Sequence, residues 1–208
     1  MAQDVTALRE QIDARLPRVA DELQGLVRNS IRLKTRKAKN EASPPIGTSK
    51  LGGLPDLPED AEWPEWNGEP LAFIAQINLE EAAPYDLEHL LPMTGMLYFF
   101  YDARLETWGD RSEDRGGARV LYFAGDVAGI RQTPFPETLH EWGRDYPACA
   151  VQLTSEAHLP VSDSMYISDL DLTEEEVAQY DALLEWLEGP DEEYTDHRLL
   201  GYSRGIQG

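Results

Sequence analysis

The sequence contains a single cysteine, Cys149, among 208 residues. An intrachain disulfide is therefore excluded, and this cysteine usage suits a reducing compartment. Cys149 lies in the apolar run PACAVQL. This setting favours a buried structural thiol over a nucleophile.

Long apolar runs are also missing from the chain. No window approaches the roughly 18 consecutive apolar residues that a transmembrane helix requires. The opening MAQDVTALREQID has no basic segment followed by an apolar block, the pattern typical of a secretory signal. We therefore expect a cytoplasmic protein that has no membrane partner.

Basic residues are scarce, with 18 Lys and Arg against 39 Asp and Glu, and the formal net charge is −21. Residues 1–40 hold nine basic and five acidic side chains, a balance of +4, whereas residues 41–208 hold nine and 34, a balance of −25. Such an acidic body repels nucleic acid and attracts basic partners. The basic run RLKTRKAK is short and has no interleaved aromatics, so nucleic-acid binding is not predicted. Acidity that serves only solubility is the alternative reading.

Recognisable catalytic motifs are absent as well. The sequence has no nucleophile elbow, Cys-His motif, phosphate loop or dinucleotide-binding glycine motif. Its four histidines have no metal-type spacing. We predict no catalytic residues, no metal and no cofactor, although a centre assembled from distant residues stays open. His197, which precedes an apolar Leu199-Leu200 pair, is the histidine that most merits a test.

Two helices can be predicted from periodicity and capping. Apolar residues at spacings of three and four from Val5 to Leu33 predict a helix that kinks or restarts at Pro17. Thr173 and Glu176 form a capping box for a second helix at about 173–188, which Gly189-Pro190 ends. Residues 1–40 are predicted to be a helical extension packed on a β-rich domain of residues 41–208.

Four strands are predicted, at Leu71–Leu79, Gly95–Tyr101, Ala118–Ala124 and Ala148–Leu153. The first has apolar residues on both faces, which favours a central position. The second and third form a long-looped antiparallel hairpin. Gln76 and Asn78 share one face of the first strand, and buried amides there need partners, most simply loop backbone. The pattern predicts an α+β fold.

The loop that follows the second strand is the main candidate for a ligand or partner site, because it gathers carboxylates and a tryptophan. A cation could bind its oxygens, but the EF-hand spacing is missing and interspersed arginines compete, so a solvated loop with local ion pairs is the simpler reading. Two tryptophans that flank Pro64 could join the site or act as lids over a core. The candidate residues are Trp63, Trp66, Asp102, Trp108, Asp110, Asp114 and His197.

Several segments together resemble one known family. They are SKLGGLPDLP, Trp63-Pro64, PLAFIAQINL, PMTGMLYFFYD, ARVLYF, HRLLGY and Ile206-Gln207. The chain resembles the YwqG-like domain family, a bacterial family of unsettled function. The resemblance implies a mainly antiparallel, roll-like β-fold with a helical N-terminus, and it transfers no catalytic residues. It also implies a second strand–loop–strand unit after HRLLGY, where this sequence ends at Gly208, so we expect an open strand edge that favours a homodimer.

Three functions fit these observations. We favour a non-enzymatic binding protein whose acidic body meets a basic protein partner, in the manner of immunity-type proteins that neutralise toxins. An enzyme or a small-ligand or cation-binding module that uses the 102–114 loop is the first alternative. A structural dimerisation domain is the second.

Overall fold

A computed structural model describes residues 5–36, 44–142, 144–189 and 197–203. Three predicted features lie outside these residues. They are the last residues of the N-terminal extension, the helix-stopping Pro190 and the Ile206-Gln207 pair.

Six α-helices occur in the described residues, and most of them are short. They are α1 (Val5–Arg15), α2 (Ala20–Leu26), α3 (Leu79–Ala82), α4 (Glu137–Glu141), α5 (Met165–Ser168) and α6 (Glu174–Glu188). A 3-10 turn over Pro17–Val19 separates α1 from α2, which confirms the predicted restart at Pro17. The Thr173–Glu176 capping box at the start of α6 is also confirmed.

Eleven strands occur in the same residues. They are β1 (Arg28–Arg36), β2 (Lys50–Leu51), β3 (Asp56–Pro58), β4 (Glu65–Trp66), β5 (Glu69–Pro70), β6 (Ala72–Asn78), β7 (Met96–Tyr101), β8 (Ala118–Phe123), β9 (Ile130–Gln132), β10 (Cys149–His158) and β11 (Arg198–Leu200). The predicted α+β fold, mainly antiparallel and roll-like with an N-terminal helix and a helix at about 173–188, is confirmed.

The chain divides into two compact units, and the predicted boundary at residue 40 stays a prediction. The first unit comprises Met1–Lys34, Tyr85–Glu88 and Leu153–Gly208, and the second comprises Thr35–Pro84 and His89–Gln152. The long strand β10 contributes residues to both.

In the first unit, the strand order is β11–β1–β10. Leu8, Ile12 and Leu23 from the N-terminal helices pack with Tyr180 and Leu183 of α6 in one buried cluster. The prediction of helix as far as Leu33 is wrong, because β1 begins at Arg28. Ile31 and Leu33 are both buried at a spacing of two, which is the period of a strand.

In the second unit, the strand order is β10–β2–β6–β7–β8. β6 lies between β2 and β7 and is almost entirely buried, as a central strand should be. β7 and β8 form the predicted antiparallel hairpin, with Leu97 opposite Tyr122 and Phe99 opposite Val120. Phe73, Tyr98 and Phe100 fill the adjoining core. Cys149 is half-buried at the start of β10, so it is less buried than its apolar context predicted.

Candidate functional site

The loop between β7 and β8 is held by two carboxylates, the first of which belongs to Asp102. This side chain is 4% exposed and directly follows β7. Its carboxylate accepts backbone N–H bonds from Arg104 at 2.9 Å, Glu106 at 2.8 Å and Thr107 at 3.2 Å. Charge-assisted bonds of this kind fix the course of a turn. Asp102 therefore organises the loop from within.

The second carboxylate belongs to Asp114. It accepts the backbone N–H groups of Trp108 at 3.1 Å and of Gly109 at 2.8 Å. The backbone at Trp108 is thus fixed, while its side chain is 67% exposed. Asp110 lies beside it on the exposed part of the loop. The loop presents a tryptophan to solvent on a pre-organised backbone.

The other two candidate tryptophans are integrated into the second unit. Trp63 donates its indole N–H to the carbonyl of Leu71 at 2.9 Å and makes edge-to-face contacts with Phe100 and Phe135. Trp66 donates to the carbonyl of Arg115 at 3.2 Å, which links it to the end of the loop. These contacts assign both rings a packing role.

His197 is exposed and belongs to the first unit, whereas the six other candidate residues belong to the second. Its backbone carbonyl accepts a hydrogen bond from the N–H of Leu33 at 2.8 Å. The use of these seven residues for ligand or partner binding stays a prediction. Among the described residues, no group of three or more His, Cys, Asp and Glu side chains could hold a metal ion.

A buried polar network in the second unit was missed by the sequence reasoning. Lys50 and Asp56 are 1% and 0% exposed, and Lys50 Nζ lies 2.8 Å from Asp56 Oδ2. The same oxygen accepts from Gln76 Nε2 at 2.7 Å and from the N–H of Gly47 at 3.0 Å. One signal could have revealed the pair: these are the only charged residues in residues 42–58, a stretch rich in apolar residues, glycine and proline.

The network extends to the hairpin and to the predicted amides. Tyr98 donates its hydroxyl to the carbonyl of Asp56 at 2.6 Å, and burial, together with the nearby Asp56 charge, raises the pKa of Tyr98. Gln76 also donates to the carbonyl of Thr48, and Asn78 donates to that of Gly47. The prediction that these amides bond loop backbone is confirmed. All these polar groups therefore form hydrogen bonds inside the second unit.

The first unit carries the most one-sided charge. Residues 153–189 contain ten Asp and Glu and no Lys or Arg. Along α6, one row of exposed acids runs opposite the buried face of Tyr180 and Leu183; we call it the acidic row, and it comprises Glu174, Asp181, Glu185 and Glu188. At about 1.5 Å per residue the row is about 21 Å long. It offers an extended negative surface.

Two other acids of this segment are neutralised by arginines. Arg18 binds Glu176 through two bonds of 2.7 and 2.8 Å. This contact lowers the pKa of Glu176 to about 2, and a hydrogen bond from the Thr173 backbone N–H makes the second-largest contribution to that lowering. Burial alone would raise the pKa of Glu156, but hydrogen bonds from Arg32 and Arg198, each 2.6 Å, lower it instead.

A family model described as Domain of unknown function (DUF1963) matches residues 49–208. The chain belongs to this family. No curated protein matches the sequence. The matched residues of the DUF1963 domain include the buried Lys50–Asp56 network, the acidic row and the loop between β7 and β8, which we call the braced loop because Asp102 and Asp114 hold its backbone. No helix in the described residues is long and apolar enough to cross a membrane.

Proposed function

We propose that this DUF1963 protein is a non-enzymatic binding protein whose acidic surface receives a basic protein partner. The acidic row on α6 is the observation that carries the proposal. Its four carboxylates are exposed on one face of a helix whose other face is buried. Such a row suits a basic helix or an extended basic segment of similar length.

The charge of the surrounding sequence supports the same partner. No Lys or Arg occurs in residues 153–189, and the whole chain carries a net charge of −21. A one-sided field of this kind speeds association with basic proteins and repels acidic ones, and salt weakens both effects. Three arginines contact this segment: Arg18 binds Glu176, and Arg32 and Arg198 bind Glu156.

Three finer points belong to the proposal as predictions. The first is that the partner is a toxin and the protein an immunity-type antagonist. The second is the narrower YwqG-like assignment with a bacterial origin. The third is a cytoplasmic location. Co-expression with a candidate basic toxin tests the first point, since rescue of growth should depend on the acidic row.

The binding experiment uses the full chain immobilised on a column and a lysate of the source organism. The test variant is Asp181→Lys with Glu185→Lys, which places positive charges in the C-terminal half of α6, where the helix dipole tolerates them. The matched control is Asp60→Lys with Glu62→Lys, two exposed acids of the second unit that give the same change in net charge. Bound proteins are eluted with increasing salt and quantified by mass spectrometry.

We expect a basic protein that wild type and control retain at low salt and release at high salt. The variant with lysines in the acidic row should retain at least about tenfold less of this basic protein, because juxtaposed like charges cost several kcal/mol. If the row variant and the control variant lost the same amount of bound protein, net charge alone would explain the binding, and the acidic row would not be its site. Recovery that is insensitive to salt would contradict the electrostatic basis of the proposal.

The braced loop supports a second candidate function, in which Trp108 acts as a platform for a small ligand or a partner side chain. Its 67% exposure on a fixed backbone is the specific observation. Exposed, pre-organised tryptophans are favourable anchors because little entropy is lost when they bind. Trp108→Ala should then abolish retention of a ligand or partner that the acidic-row variant still retains. Calorimetric titration with calcium tests the cation-binding version, which requires measurable heat at millimolar concentrations.

A further inference from the structure

The hydrogen-bond phase of the β7–β8 ladder determines which backbone groups of β8 are directed outward. The N–H of Asp102 donates to the carbonyl of Gly117 at 2.6 Å, one step beyond the Tyr101–Ala118 pair. Hydrogen-bonded pairs alternate in an antiparallel ladder. Arg119, Leu121 and Phe123 of β8 therefore direct their N–H and C=O groups toward β7.

The other side of β7 gives the same phase independently. The N–H of Leu79 donates to the carbonyl of Gly95 at 2.9 Å, one step beyond the Asn78–Met96 pair. By the same alternation, Leu97 directs its backbone groups toward β6 and Tyr98 directs them toward β8. Both ladders agree, so the assignment does not depend on one bond.

Three residues of β8 consequently direct their backbone donors and acceptors away from β7. They are Ala118, Val120 and Tyr122. β8 is the last strand in the hydrogen-bonded order of the described residues, so this edge has no strand partner there. The side chains of Val120 and Tyr122 are 59% and 49% exposed. An apolar edge strand with open hydrogen-bonding groups is a template for another strand.

We propose that a second copy of this chain pairs with this edge, β8 against β8, antiparallel around a two-fold axis at Val120. In that register Val120 faces its own copy, and Ala118 lies opposite Tyr122, a small residue against a large one. Arg119 lies opposite Leu121. A shift by two residues would put Arg119 directly opposite Arg119, and like charges in that position are destabilising. This repulsion excludes one of the three registers that the backbone phase allows near the strand centre.

The local sequence keeps carboxylates out of a contact between two copies at this edge. Residues 115–125 contain two arginines and no Asp or Glu, on a chain whose net charge is −21. Two copies can therefore meet here without placing carboxylates directly in the contact. The contact is short and falls below the roughly 1,000 Å² of a stable interface, so dimers should form only at high protein concentration.

This homodimer is independent of the proposed function, and salt separates the two. Binding of a basic partner to the acidic row weakens as salt rises. Association of two copies that both carry −21 strengthens, because salt screens their mutual repulsion.

Sedimentation velocity of the full chain, from about 10 μM to about 1 mM, tests the proposal. Val120→Lys places two positive charges at the two-fold axis, and Val120→Pro removes the outward N–H without removing a ladder bond to β7. Val120→Thr keeps a β-branched residue and is the matched control. Wild type and V120T should dimerise with rising concentration and salt, while both V120K and V120P should stay monomeric with unchanged circular dichroism.

Amide hydrogen exchange locates the contact. In the dimer, the amides of Ala118, Val120 and Tyr122 should gain protection as concentration rises, while those of Arg119 and Leu121 should be protected throughout. A wild-type monomer up to about 1 mM would overturn the proposal. Dimers of V120K and V120P as stable as those of wild type would overturn it too, as would concentration-dependent protection that omits β8.

Discussion

Replacing Lys50 by methionine should destabilise the protein more than any other removal of a single charge that we consider. The ammonium group is 1% exposed and lies 2.8 Å from a carboxylate that is itself fully buried. Methionine preserves most of the volume and the apolar stem of lysine, so the substitution removes the charge and leaves little cavity. What remains is the negative charge of Asp56 without its cation.

The expected cost follows from what Asp56 retains. Removing one member of a buried ion pair costs about 3–5 kcal/mol, because the other charge is left uncompensated. Asp56 Oδ2 keeps the donors Gly47 N–H and Gln76 Nε2, whereas Asp56 Oδ1 is buried and has no hydrogen-bond partner. Two retained donors place the loss near the lower end, at about 3 kcal/mol. The double variant K50M/D56N should cost less than the sum of the single variants by about 1–2 kcal/mol, because a neutral amide no longer needs the cation.

Urea unfolding at pH 7, followed by circular dichroism and tryptophan fluorescence, measures these free energies. Arg131→Met is the matched control, since it removes the cation of an exposed ion pair with Glu59, whose side chains are 61% and 80% exposed. Its cost should be at most about 1 kcal/mol. If K50M lost no more stability than R131M, or if the double variant lost the full sum, the buried pair would not be a coupled element of the core.

Three further substitutions test other parts of the structure. Asp102→Asn should cost about 1–3 kcal/mol in urea unfolding by weakening three backbone bonds, while Asp110→Asn in the same loop should change stability by less than about 0.5 kcal/mol. Glu176→Gln should lower the melting temperature at pH 6 but not at pH 2. A carboxyl whose pKa is depressed to about 2 stabilises the fold above its ordinary pKa of 4.5 and loses that effect as pH falls toward 2. An equal effect of the substitution at both pH values would contradict the ion pair with Arg18. Gly52→Ala should cost more than Gly68→Ala, since both glycines have positive φ but only at Gly52 would the new Cβ meet a backbone oxygen, that of Pro147.

The elements with strong local signals were predictable. The long helix α6 has a capping box and an uninterrupted apolar stripe, and β6, β7 and β8 have bulky apolar runs bounded by turn residues. In each case the local pattern and the tertiary packing favour the same structure, which is the condition under which sequence reasoning succeeds.

The prediction was wrong where an element depends on a partner that is distant in the sequence. The apolar residues after Val27 continue the helical spacing of α1 and α2 closely enough to predict helix. In the structure, Ile31 pairs with Leu199, and Leu33 donates to the carbonyl of His197, more than 160 residues away. No local window contains that partner. The two-residue strand β2 was missed for the same reason, since it pairs with β6 and β10. β4 and β5 pair with each other across Asn67-Gly68 and were missed because two residues are too few to show the period of a strand.

The residues of the candidate site also differ in how far the sequence could predict their contacts. The amides Gln76 and Asn78 were predicted correctly because a buried amide on a central strand must find a partner nearby. The carboxylates of Asp102 and Asp114 were read as potential ligand groups, since a sequence does not reveal which backbone N–H groups a loop will direct at its own side chains. Lys50 and Asp56 were missed because charged residues are ordinarily exposed, and only the fold places this pair inside.

Two of the surfaces proposed for binding, the acidic row and Trp108, lie outside the segments that make this chain recognisable, whereas the open edge of β8 belongs to one of them, ARVLYF. SKLGGLPDLP, the central strand and the hairpin supply Lys50, Asp56, Gln76 and Tyr98, whose polar atoms are engaged with one another in the interior. A side chain that is fully buried and hydrogen-bonded cannot also meet a partner. Any partner must therefore be met by exposed groups, and the proposals above accordingly use the acidic row, Trp108 and the open edge of β8. Because such groups are under weak packing constraint, members of one fold can differ there freely, so membership of a family identifies the scaffold while the exposed residues of each member determine what it binds.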